Sequence, residues 1–162
     1  MITIFDALVH SVTAHSLAAY PNEACGILLG VFGPDGTRDV TQTMGIENSR
    51  EAEEQYHRFR ITPADYMAAE DEAGKQGLEI LGFYHSHPDH PAVPSDYDRD
   101  HAFPGLSYII VSVEGDEPAP RVVRVASWEL RPDRTAFDHE KEILFVPGDT
   151  GPTIDSLVPT NN

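Results

Sequence analysis

The sequence predicts an α/β or α+β domain, a mixed sheet sandwiched by helices. Two observations lead there. Patterned segments follow the order helix, strands, helix, strands. Short apolar or alternating runs of strand length, bounded by glycine and proline, outnumber the two long helical patterns. The 162 residues are of a size for one domain, with 40% hydrophobic residues to build its core.

Residues 6–19 (DALVHSVTAHSLAA) carry Leu8, Val9, Val12 and the Ala18/Ala19 pair at helical spacing, with Asp6 as the expected N-cap. Pro21 stops that helix. The apolar run 25-CGILLGVFG-33 reads as a buried strand, and 33-GPDG-36 turns it into a second strand at 38–48. Alternation at 55-QYHRFRI-61 predicts a third. Thr62 and Pro63 open a helix over 63–76, with Tyr66, Met67 and Ala73 expected to face the core. A strand at 78-LEILGFYH-85 leads into the most unusual stretch of the chain. A short helix is expected at 95–103 and strands at 106–113, 121–130 and 142–146. The domain is expected to span 1–146. The tail 147–162, rich in Pro, Gly, Thr and Asn, is expected to be flexible.

Charge and cysteine content narrow the function classes. Eleven basic residues against 27 acidic give a net charge of −16. Phosphate backbones and anionic membranes repel such a chain, so no nucleic-acid or membrane partner is expected. No apolar run is long enough to cross a bilayer, and the start MITIFDALVH lacks a signal-peptide pattern. The single cysteine, Cys25, forms no internal disulfide and fits a reducing compartment, so a cytoplasmic location is expected.

The chemistry concentrates in 83-FYHSHPDHPAVPSDYD-98, which holds three histidines, three aspartates and three prolines. His85 and His87 leave a strand on one face, close enough for two imidazoles to converge on one ion. Pro88, Pro91 and Pro94 stiffen the following loop. Ser95 and Asp98 lie at i and i+3, neighbours on a helix face. Asp98 can return as a third ligand, and two nitrogens with one carboxylate oxygen suit Zn²⁺ with a fourth position open. The same Ser-x-x-Asp is also a helix cap. Asp89 and His90 fit either a supporting shell or a polar turn. Glu23 stands just before a buried strand; it is either a base for the site or an exposed loop residue. His10, His15, His57, His101 and His139 lack ligand spacing and read as surface or structural.

The pattern resembles the JAMM (MPN-plus) metallopeptidases. The residues that carry the resemblance are Glu23, His85-Ser86-His87-Pro88, then Ser95 and Asp98. Glu23-Ala24-Cys25-Gly26 through Gly30 and Gly82-Phe83-Tyr84 also match, and the likeness runs from about residue 8 to residue 146. The compact length is similar to that of small stand-alone prokaryotic members. The resemblance implies a cytidine-deaminase-like α-β-α sandwich and Zn²⁺ held by His85, His87 and Asp98. It implies Glu23 as general base and Ser95 as a holder of the developing oxyanion. It further implies hydrolysis after the C-terminal diglycine of a ubiquitin-like or sulfur-carrier protein, in sulfur transfer or cysteine biosynthesis. A non-cleaving module that binds ubiquitin-like tails is the alternative; such modules lack one or more of the signature residues. A zinc deaminase fits less well, because its Glu two residues after His and its Cys-x-x-Cys pair are both missing.

Overall fold

The computed structural model describes residues 1–48, 61–116, 118–140 and 143–146. In chain order it contains β1 (Ile2–Phe5), α1 (Asp6–Ala19), β2 (Cys25–Phe32), β3 (Arg38–Ile46) and α2 (Pro63–Lys75). Then follow β4 (Glu79–Pro88), α3 (Asp96–His101), β5 (Ser107–Glu114), β6 (Arg121–Leu130), β7 (Phe137–His139) and β8 (Ile143–Val146). Among the described residues the strands form one mixed sheet of eight, ordered β7-β6-β5-β4-β2-β3-β1-β8. β4 runs parallel to β5, β1 runs parallel to both β3 and β8, and the remaining neighbours are antiparallel.

The predicted α/β class is what the chain adopts, with a hydrophobic cluster on each side of the sheet. α1 buries Val9 and Val12 at i, i+3 against Leu28, Val40, Tyr84, Ile109 and Val111. On the other side α2 buries Ala69 and Ala73 at i, i+4 against Ile27, Leu29 and Phe83. β4 supplies both clusters, as a strand buried on two faces must.

Several expected details shift. Asp6 is the first residue of α1 rather than its N-cap: β1, which no local pattern announced, runs directly into the helix, and Phe5 occupies the cap position without a side-chain bond. Met67 does not face the core. It is 63% exposed, and the small Ala69 and Ala73 form the packed face, with Tyr66 half-buried beside them. β4 extends past the expected end, through both histidines to Pro88. β7 was likewise unforeseen. The strand expected at 55–61 falls almost wholly outside the described residues, and the tail 147–162 lies wholly outside them. Among the described residues, no helix is long and apolar enough to cross a membrane.

Candidate metal centre

β4 places the two histidines. A bulge opposite Leu28/Leu29 leaves Leu81 as an extra residue and sends its side chain to the α1 side, while Phe83 faces α2. From Phe83 the alternation of a strand carries His85 and His87 to that same α2 face. Gly82 lets β4 lie close against β5, because a Cβ there would run into the Ser107 carbonyl. The loop 89–94 then returns the chain to α3, whose first turn carries Asp98 back to the imidazoles.

The three expected ligands meet. His85 Nε2 and His87 Nε2 lie 3.0 Å apart. Asp98 Oδ1 is 3.3 Å from His85 Nε2, and Asp98 Oδ2 is 3.5 Å from His87 Nε2. All three residues are buried. Zinc–nitrogen and zinc–oxygen bonds of about 2.1 Å at tetrahedral angles place ligand atoms roughly 3.4 Å apart. The observed spacings bracket that value, so the donor set fits a single divalent cation.

Asp98 also serves the second reading of its spacing. Ser95 caps α3: its Oγ accepts from the Asp98 N–H at 3.1 Å, and Asp98 Oδ2 accepts from the Ser95 N–H at 2.6 Å and Ser95 Oγ at 2.8 Å. One oxygen holds the cap while the other faces His85, so the capping carboxylate and the candidate ligand are the same group.

Glu23 is no exposed loop residue; it is only 6% exposed. Cys25 pairs with His85 across β2 and β4, and two further steps bring Glu23 abreast of His87. That extension is fastened by Ser86, which donates its N–H to the Ala24 carbonyl at 3.0 Å and accepts the Ala24 N–H on its Oγ at 2.8 Å. The Asn48 side chain donates to the Glu23 carbonyl at 3.1 Å. Burial pushes the Glu23 carboxyl up to about 8; His87 opposes that rise and Asp98 adds to it. A buried carboxyl held near neutrality can take and return a proton.

Electrostatics tie the ligands together. Burial alone would raise the Asp98 carboxyl, yet the two imidazoles hold it far below the usual carboxylate range. Burial lowers His85 despite the Asp98 carboxylate. For His87 burial is outweighed by the bonds to Asp98 and Pro91, and its value rises.

The supporting groups were not foreseen. His87 Nδ1–H donates to the Pro91 carbonyl at 2.8 Å, which leaves Nε2 to face His85 and Asp98. Asp89 points elsewhere: it accepts from the Gly115 N–H and from the Tyr20 hydroxyl, pinning the loop to the β5–β6 turn and the end of α1. His90 has an exposed side chain, while its carbonyl accepts from Ser112 Oγ. Ser86 and Pro91 could have been found only by asking what holds the histidines. The other described histidines stay out of the site. His15 bonds the Tyr84 hydroxyl, His10 and His101 bond helix carbonyls, and His139 packs edge-on against Trp128. His57 lies outside the described residues.

Known proteins are similar to this chain in sequence or in fold. The chain is 34% identical over 96 residues to the desampylase of Haloferax volcanii, a match covering 59% of this chain and 66% of that protein, just under two thirds of its length. It is 28% identical over 108 residues to a Thermus thermophilus protein named "Probable TtuB-protein conjugate cleaving protease", covering 67% of this chain and 68% of the relative. A third relative, the tail tip assembly protein K of Escherichia phage N15, is 31% identical over 96 residues; the match covers 56% of this chain and 32% of the phage protein. The solution structure of a Desulfitobacterium hafniense protein superposes with TM-score 0.75 at 33% identity, covering 91% of this chain and 94% of the other. A JAB1/MPN domain protein from Archaeoglobus fulgidus, at 20% identity and TM-score 0.50 over 90% and 95% of the two chains, shares the fold. The prokaryotic homologs of the JAB domain match residues 6–130, and the chain belongs to that Prok-JAB family.

Proposed function

We propose that the protein is a zinc-dependent peptidase or isopeptidase. Its substrate would be the peptide or isopeptide bond after the C-terminal diglycine of a ubiquitin-like or sulfur-carrier protein, with a role in sulfur transfer or cysteine formation. One observation carries the reading: three buried candidate ligands at single-cation spacing, with a buried glutamate beside them two residues before the neighbouring strand. The names of the desampylase and of the Thermus relative support cleavage of ubiquitin-like conjugates as the reaction class.

His85, His87 and Asp98 would hold the ion. When bound, zinc supplies Lewis acidity for activating water and polarising a carbonyl. Glu23 takes the proton released as water attacks the scissile carbonyl, then returns it to the departing amine. Its burial suits that task, because desolvation makes the carboxylate a stronger base than an exposed one. The Ser95 hydroxyl, which donates to Asp98 Oδ2 at rest, would turn its one O–H toward the developing oxyanion.

The test is a cleavage assay. Zinc-loaded protein is incubated with ubiquitin-like carriers bearing residues beyond the diglycine, with and without chelator, and the products are weighed by mass spectrometry. The expected result is loss of the extension, abolished by chelator. Glu23→Gln is expected to keep one equivalent of zinc and lose at least a hundredfold in turnover, on the order of a general base's contribution. Carriers that bind but emerge intact from the zinc-loaded protein would instead identify a binding module, and full turnover by Glu23→Gln would remove Glu23 from the base role.

A further inference from the structure

The loop after β4 presents three successive carbonyls, each taken by a different strand. His90 C=O accepts from Ser112 Oγ of β5 at 2.6 Å. Pro91 C=O accepts from His87 Nδ1 of β4 at 2.8 Å and also from the Val93 N–H. Ala92 C=O accepts from Trp128 Nε1 of β6 at 3.0 Å. These donors share one face of the sheet: Ser112 is the register partner of His87, and Trp128 stands opposite Tyr108. Ala92 is buried against Ile110, Ala126 and Trp128, so the loop sits on a floor that β5 and β6 build.

The middle carbonyl orients His87, and its two neighbours are each tied to the sheet beside it. We propose that Trp128 and Ser112 are positioning residues for the metal centre: by clamping the carbonyls on either side of Pro91, they set the tautomer and ring angle of His87. The inference rests on the zinc reading above. Neither residue contacts the ligand atoms. They act through the loop backbone, which Asp89 anchors at its start through its N–H to the Val113 carbonyl and which has no N–H to donate at Pro91.

Removing the partner of a ligating histidine costs roughly ten- to a hundredfold in metal affinity. The donors act one step further out, so the lower end, about tenfold, is expected. Trp128→Phe retains the ring and deletes only the N–H; Ser112→Ala deletes the hydroxyl and Ser112→Thr restores it. Zinc affinity is read by competition with a chromophoric chelator, and coordination by the visible spectrum of the cobalt-substituted protein. Val12→Ala, in the cluster on the far side of the sheet, is the control for simple destabilisation. Trp128→Phe and Ser112→Ala are expected to bind zinc about tenfold more weakly with altered cobalt bands, Ser112→Thr to recover, and Val12→Ala to bind normally. Wild-type affinity and spectrum in both Trp128→Phe and Ser112→Ala would overturn the inference while leaving the zinc site standing. An equal loss in Val12→Ala would reduce the effect to stability and overturn it too. A wild-type protein that binds no zinc would sink both readings.

Discussion

At His87 the two ring nitrogens have separate tasks. Nδ1–H is spent on the Pro91 carbonyl, and Nε2 faces His85 and Asp98. An imidazole so fixed has one ligand atom and one direction in which to use it. His87→Ala is therefore expected to lose zinc outright. Zinc at a thousand times its dissociation constant should stabilise the wild type by about 4 kcal/mol and leave His87→Ala unmoved. Thermal or denaturant unfolding with and without zinc checks this, and a matching shift in the variant would show that the ion sits elsewhere. His85, His87 and Asp98 could be picked out in the sequence because strand and helix periods are short and local. Glu23 could not be weighted with the same assurance. Its burial comes from β4, some sixty residues downstream, and two residues before a strand nothing local distinguishes it from a surface glutamate. The Pro91 carbonyl was beyond reach for another reason, since a backbone acceptor has no residue type to betray it.

Among the elements, α2 and α3 begin with the same chemistry and put it to different ends. Thr62 and Asp65 form a capping box, as do Ser95 and Asp98. In α2 the box only starts a helix. In α3 its acidic member also faces two imidazoles. Thr62→Ala and Ser95→Ala are each expected to cost about 1 kcal/mol of stability in the metal-free protein. Only Ser95→Ala should also weaken zinc binding, because Asp98 loses one of the two Ser95 bonds that aim its carboxylate. Denaturation and zinc titration of the two variants separate these effects; equal zinc affinity in both would mean the cap does not position the ligand. The sequence predicts the Ser95–Asp98 cap and Thr62 as an N-cap, but gives Asp65 no part. It misjudged α2's inner face because Met67 looks more like a core residue than Ala69 does, although two alanines at i, i+4 bring the helix close to the sheet. β1 escaped notice because four residues carry little period, and its place depends on β3 and β8.

Across the whole molecule one sheet separates the α1 side from the side that carries His85 and His87. Its strand order could not be read from sequence, since which strands are neighbours is decided by packing across the fold rather than by any local run. The α1 side carries its own titratable pair, His15 Nδ1 against the Tyr84 hydroxyl at 2.7 Å. Burial lowers the His15 value in the folded protein. A depressed histidine leaves the unfolded chain binding more protons, so its contribution to stability is present above about pH 6.5 and is lost as the pH falls through the folded value. His15→Met should flatten that part of the profile: the loss of stability between pH 7.5 and 5.5 should be smaller than in the wild type, measured by denaturation at both values. Identical slopes would show that His15 does not carry it. The pairing of Ala24 with Ser86 has a consequence in time as well as space. A ribosome that has delivered β2 has made the glutamate but none of the three candidate ligands; the two histidines arrive with β4, which locks that glutamate beside them, and Asp98 follows on α3. If this is a protease, it is born disarmed, and the stitch that joins β4 to the approach of β2 is one it must make before it can cut.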